Sequence, residues 1–138
     1  MNDKDLVLTA FDAMKMAYAP YSGYKVGAAL LGASGKVYTG CNIENAAYGP
    51  TNCAERTAFL KAVSEGEREF TKIAVVGGKD GNVTEAFMPC GVCRQVMAEF
   101  CESDFQILVA ENKESFKAYS LAEILPIGFS KNNLKDKV

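Results

Sequence analysis

The hexapeptide Lys72-Ile73-Ala74-Val75-Val76-Gly77, bounded by Gly77-Gly78, has the unbroken apolar character of a strand buried on both faces. On its N-terminal side, Cys53 to Ser64 reads as a helix closed near Gly66. On its C-terminal side, Cys90 to Cys101 reads as another, with Val92, Val96, Met97 and Phe100 turned inward. Phe105 to Ala110 is a further buried strand, Ser115 to Ser120 a shorter alternating one, and Leu121 to Leu125 a helical turn before Pro126. Upstream, Lys25 to Leu31 and Lys36 to Cys41 are strands joined through Ala33-Ser34-Gly35 as a hairpin. A first helix covers Asp3 to Ala19, where Leu6, Ala10, Ala13, Met14 and Ala17 recur at three- and four-residue steps until Pro20. A hairpin followed by β-α-β crossovers predicts an α/β fold, a three-layer α/β/α domain on a mixed five-stranded sheet. The domain is expected over residues 1–130, with a polar tail at 131–138.

The composition narrows the function classes. A chain of 138 residues, 49% hydrophobic and 23% charged, is sufficient for one packed core. A formal charge of -2 argues against nucleic acid or an anionic membrane surface as the partner. No apolar stretch approaches the ~18 residues of a bilayer span. The opening Met1-Asn2-Asp3-Lys4-Asp5 is unlike a secretory signal, so the expected compartment is the cytoplasm. Five cysteines, an odd number, fit a disulfide framework poorly and are expected to be reduced. Histidine is absent. Any general base must then be a carboxylate, a thiolate or a perturbed lysine, and no metal can be held by imidazole.

Two short cysteine motifs carry the chemistry: Cys53-Ala54-Glu55 and Pro89-Cys90-Gly91-Val92-Cys93. Three thiolates can hold Zn²⁺ and leave its fourth position open, the pattern of a hydrolytic rather than a closed structural site. Both motifs fall at predicted helix starts, with Asn52 as one N-cap and Pro89 as the opener of the other helix, where free N–H groups favour thiolate. Three thiolates and a dication sum to about -1, which weakens the metal as a Lewis acid. Arg56 or Arg94 could withdraw that charge by hydrogen bonding to a sulfur, and Arg56 is favoured. Other readings stand beside this one. Glu55 could be the N3 acid, third after the cap, of a capping box begun by Asn52. Cys90 and Cys93 could be a redox dithiol, or Cys41 could close a structural zinc site. Cys101, eight residues beyond Cys93, is ~12 Å away along a helix and reads as a buried hydrophobe.

These residues resemble the zinc-dependent nucleoside and nucleobase deaminases. The segments Tyr21-Ser22-Gly23-Tyr24-Lys25-Val26-Gly27-Ala28-Ala29-Leu30, Gly40 to Tyr48, Cys53 to Ala58, Pro89 to Gln95 and Leu125-Pro126-Ile127-Gly128-Phe129 are similar to the short, homotetrameric cytidine deaminases. The resemblance implies that Cys53, Cys90 and Cys93 bind zinc. It implies that Glu55 shuttles protons between the attacking water, N3 of cytosine and the departing amino group. Cytidine and deoxycytidine would become uridine and deoxyuridine, with ammonia released, as in pyrimidine salvage. Asn42 and Glu44 match positions that hold ribose hydroxyls, and Ala54 belongs to the same substrate-contacting set. Tyr24 stands where such enzymes have Phe against the base. Tyr48 and Phe129 match aromatics that reach a neighbouring subunit's site. A 5′-phosphate would meet an acidic, lysine-poor surrounding, so nucleosides are expected. Within the same chemistry, a blasticidin S-type deaminase is the nearest rival. A basic track for polynucleotides is lacking.

Overall fold

The computed structural model describes residues 1–134; the last four positions of the expected tail lie outside the described residues. The chain runs α1 (Asp3–Met14), β1 (Tyr24–Gly32), β2 (Val37–Cys41), α2 (Ala54–Ser64), β3 (Phe70–Lys79), α3 (Gly91–Phe100), β4 (Gln106–Ala110), β5 (Phe116–Ser120) and α4 (Leu121–Ile124), then a 3₁₀ turn at Lys131–Asn133. The sheet has the order β2-β1-β3-β4-β5. β1 is antiparallel to both β2 and β3, β3 and β4 are parallel, and β5 returns antiparallel to β4. The expected mixed five-stranded sheet is present.

Period-two alternation sorts the sheet's side chains between two cores. Val26, Ala28 and Leu30 of β1, Ile73 and Val75 of β3, and Ile107 and Val109 of β4 pack with Ala54, Ala58 and Phe59 of α2, Met97 of α3 and Leu121 of α4. The intervening Ala29, Ala74, Val76, Leu108 and Ala110 meet Leu6, Val7, Ala10, Phe11 and Met14 of α1. Thus α1 covers one face and the other helices the opposite one. This explains why β3 and β4 read as continuous apolar runs. Gly27 lets α1 come down onto β1: a Cβ there would lie 2.5 Å from the Met14 nitrogen.

α1 is shorter than the Asp3-to-Ala19 expectation. Asn2 caps its start, accepting from the Asp5 N–H at 2.8 Å. After Met14 the chain tightens into three-residue turns, Met16 N–H to Ala13 and Ala17 N–H to Met14, both 3.1 Å. It then extends so that Tyr18 can bridge Ile43. That long-range pairing competes with helix, and the local apolar spacing carried no sign of it. Val92 of α3 also departs from expectation: it is exposed, while Cys93 and Met97 are the buried residues of that helix.

Candidate active site

Helix α2 rests directly on β2 because position 40 is glycine. A Cβ there would lie 2.6 Å from the Ala58 nitrogen and would run into the Ala54 carbonyl oxygen. The expected N-cap, Asn52, is occupied elsewhere: its N–H and C=O exchange 2.9 Å hydrogen bonds with Ile43. Cys53 is the N-cap instead, in extended conformation with no side-chain capping bond, and Glu55 lies in the first turn. A capping box from Asn52 is therefore not formed. Cys90 likewise caps α3, with Cys93 in its first turn; Pro89 precedes the cap rather than opening the helix. Each helix thus presents a sulfur where backbone N–H groups are unpaired.

The two helix starts converge. Sγ of Cys53 lies 3.9 Å from Sγ of Cys90, which lies 3.6 Å from that of Cys93. All three ligand atoms fall within 4.8 Å of one another. Tetrahedral zinc with Zn–S near 2.3 Å spaces its sulfurs by roughly 3.8 Å, so the donors fit the ion. Cys41 and Cys101 are not in this group, and no fourth Cys or acid joins it among the described residues. All five cysteines are free thiols.

Electrostatics separate the roles of the surrounding groups. Cys53 is held down to about 5 by the thiol of Cys93 and, against the cost of burial, by the guanidinium of Arg56. Cys93 is pushed up by the same contact and by its own burial. Nη2 of Arg56 donates to Cys53 Sγ at 3.2 Å, and its Nε is buried without a protein partner. Arg94 is differently engaged. Its Nε donates to the Pro89 carbonyl at 2.8 Å and its Nη1 to the Ile124 carbonyl at 2.6 Å, so it ties the start of α3 to α4 and touches no sulfur. Glu55 is 4% exposed. Burial, seconded by the charge of Cys53, raises its carboxyl to about 7. A carboxyl in that range can take and return a proton at neutral pH.

A cavity of about 220 Å³ opens onto Cys53, Cys90, Ala54 and Glu55, with Tyr24, Asn42, Glu44 and Phe87 among its walls. Asn42 and Glu55 are the buried polar residues among the described residues, and both line this cavity. Oδ1 of Asn42 accepts from the Val26 N–H at 2.9 Å, and its Nδ2 donates to the Tyr24 carbonyl at 2.7 Å. One lone pair and one amide hydrogen remain for a ligand. Glu44 accepts from the N–H groups of Tyr21 and Ser22 and from the Ser22 hydroxyl, and the hydroxyl bond leads in holding its carboxyl low. Tyr24 stacks on Phe87 with centroids 6.0 Å apart. Phe87 can sit there because Gly77 on β3 lacks a side chain; a Cβ would meet its ring at 2.8 Å. The sequence reading did not include Phe87 or Met88, although a large apolar pair immediately before Pro89-Cys90 was a usable signal.

Two expected site residues lie apart from this cavity. Tyr48 lines an adjoining cleft with Glu44 and Tyr21, and Phe129 lies over α3, where its carbonyl accepts from Gln95 Nε2 at 2.7 Å. The two residues are 79% and 59% exposed. The cavity wall has no Lys or Arg, in keeping with the lysine-poor expectation. Lys79 stands just behind it, with Nζ 5.2 Å from the Tyr24 ring centroid. A larger cleft of about 640 Å³, between α1 and the Asp80-Gly81 turn, contains none of these groups.

Residues 1–109 match the cytidine and deoxycytidylate deaminase zinc-binding region. The chain is 48% identical to a cytidine deaminase of Sporosarcina psychrophila over 97% of its own length and 96% of the relative's. It is 45% identical to a cytidine deaminase of Halalkalibacterium halodurans, covering 99% and 100% of the two chains. A crystal structure of cytidine deaminase from Burkholderia pseudomallei superposes with a TM-score of 0.86 at 44% identity, over 94% of this chain and all of that one. The chain belongs to the cytidine and deoxycytidylate deaminase family. Its three-sulfur cluster and the family's zinc-binding region assign zinc as the cofactor.

Proposed function

We propose that this protein hydrolytically deaminates cytidine and deoxycytidine to uridine and deoxyuridine, releasing ammonia. The observation that carries the reading is a buried carboxyl, Glu55, with a proton affinity near neutrality, set beside the three-sulfur cluster at the end of a small cavity. Bound zinc supplies Lewis acidity, making water a nucleophile at neutral pH. Cys53, Cys90 and Cys93 would hold the metal. Arg56, by drawing charge from Cys53, would offset the excess negative charge of three thiolates. Glu55 would accept a proton from the attacking water and deliver it to N3 of the pyrimidine, then take the second proton from the new hydroxyl on C4 and pass it to the amino group as the C4–N bond breaks and the C4 carbonyl forms. A single carboxyl placed beside the cluster would move both protons in turn.

Asn42 and Glu44 would hold sugar hydroxyls, which favours a nucleoside over an aminopyrimidine with a different appendage, such as blasticidin S. The aromatic wall of Tyr24 and Phe87 would pack against the base, with Ala54 at its edge. Ile43, Tyr48, Val92, Ile127 and Phe129 are large apolar side chains left exposed, and Ile127 is held at φ 52°, a costly conformation for a β-branched residue. That exposure supports a homotetramer in which Tyr48 and Phe129 complete neighbouring sites. The reading places the enzyme in the cytoplasm, in pyrimidine salvage, acting on small nucleosides rather than on nucleic acid or at a membrane. The test is the ultraviolet change of cytidine to uridine with purified protein, beside Glu55→Gln and a chelated sample. Turnover in either control at the wild-type rate would refute the reading. Full activity of a monomeric preparation would refute the shared site.

A further inference from the structure

We propose that Ser22 is a positioning residue for Glu44, leaving that carboxylate one free acceptor site for a substrate hydroxyl, and that Lys79 latches the turn that holds Ser22. The inference rests on the reading of Glu44 as a sugar-binding group. An ionised carboxylate accepts about four hydrogen bonds, two at each oxygen. Oε1 of Glu44 is filled by the N–H groups of Tyr21 at 3.0 Å and Ser22 at 3.1 Å. Oε2 takes the Ser22 hydroxyl. A single acceptor site on Oε2 is left. Because the carboxylate has no proton of its own to give, only a donor can satisfy that site, and a sugar hydroxyl is such a donor.

The Ser22 hydroxyl is committed in both senses, since its oxygen also accepts the Tyr24 N–H at 3.0 Å. The turn is fixed from the end of β3. Lys79 Nζ donates to the Ser22 carbonyl at 3.0 Å, and the Asp80 N–H donates to the Gly23 carbonyl at 2.7 Å. Gly23 takes φ 75°, a conformation that favours glycine, and a Cβ there would press on the Lys79 ammonium at 2.8 Å. The backbone of Glu44 is held separately, its N–H donating to the Tyr18 carbonyl at 2.9 Å. The side-chain direction of Glu44 is therefore set by the Tyr21-Ser22 turn, with the Ser22 hydroxyl alone holding Oε2.

The experiment compares KM and kcat for cytidine and for 3′-deoxycytidine, which lacks the ring hydroxyl that cytidine and deoxycytidine share and that Glu44 would accept from, in the zinc-loaded wild type, Ser22→Ala, Ser22→Thr, Lys79→Met, Glu44→Gln and the double variant Ser22→Ala/Glu44→Gln. Ser22→Ala is expected to raise KM for cytidine about tenfold with kcat little changed, the weight of one charge-assisted hydrogen bond. KM for 3′-deoxycytidine should move less than about twofold. Ser22→Thr should restore the wild-type value, Lys79→Met should shift KM in the same direction by less, and the double variant should be no worse than Glu44→Gln alone. If Ser22→Ala is silent while Glu44→Gln loses cytidine affinity, the positioning claim falls and the sugar-binding reading stands. If Glu44→Gln is itself silent, both fall. Equal losses on the two nucleosides would indicate a general disturbance and overturn the claim.

Discussion

Arg56 reaches the sulfur of Cys53 across 3.2 Å, whereas Arg94, next to Cys93, gives its guanidinium to two backbone carbonyls. Two arginines close in sequence to ligand positions thus have unlike roles. The difference follows from helix geometry. Arg56 lies three residues from the N-cap sulfur, one turn away on the same side, while Arg94 is directed past Pro89 towards α4.

Arg56→Gln is expected to lower kcat by ~10- to 100-fold, the usual weight of a partner to a metal ligand, while zinc stays near one per chain. Steady-state kinetics beside metal analysis of the same sample checks this. A variant with wild-type kcat would remove Arg56 from the mechanism.

Arg94→Met should behave in the opposite way. Losing two hydrogen bonds from a charged group costs ~1.5–3 kcal/mol or more in stability, read as a lower urea midpoint. The kcat of zinc-loaded protein should remain within about twofold of wild type, the loss being structural. A normal midpoint with depressed kcat would contradict the assignment.

Glu55→Gln should lower kcat by ~10²- to 10⁴-fold at unchanged zinc content. It should also alter the pH dependence of stability in the metal-free protein. The folded carboxyl titrates at about 7 against 4.5 when unfolded. Between those values the unfolded chain has released a proton that the folded chain retains, so stability falls as pH rises through that window and then levels off. Gln removes the decline. At pH 8 the metal-free variant should exceed the metal-free wild type by roughly 3 kcal/mol, the energetic equivalent of the shift. Parallel urea midpoints for the two proteins from pH 5 to 8 would exclude it.

Chelation should expose three thiols to a titrating reagent, from Cys53, Cys90 and Cys93, and abolish turnover. Zinc at a thousand times its dissociation constant adds ~4 kcal/mol of stability by linkage, so the melting temperature should fall with the metal. Cys41→Ser should retain stoichiometric zinc, because Cys41 lies outside the cluster. Loss of metal in that variant would revive the closed structural site.

Much of this architecture was legible in the sequence because its signals are local. The hairpin, the apolar run of β3 and the paired motifs at helix starts each lie within a few residues, and they predicted the sheet and the sulfur cluster. What escaped depends on contacts across the chain. Asn52 looked like a cap until its backbone was engaged by Ile43, and α1 ended early because Tyr18 pairs with the same residue. Val92 was placed inward on apolar character alone, although the buried face of α3 is set by Cys93 and Met97. The Tyr24–Phe87 wall needs a glycine on β3 ten residues before the phenylalanine, a dependence no periodicity reveals.

Gly40 bears on how this enzyme could be improved. A common recipe for hardening a protein replaces strand glycines with branched residues of high β-propensity. At this position any branch would wedge the first turn of α2 away from β2 and pull one sulfur out of step with the other two. Efforts to raise heat resistance would do better to leave this spot bare, and the open turn glycines Gly35 and Gly66 offer no substitute, since φ of 92° and 100° would strain any side chain placed there.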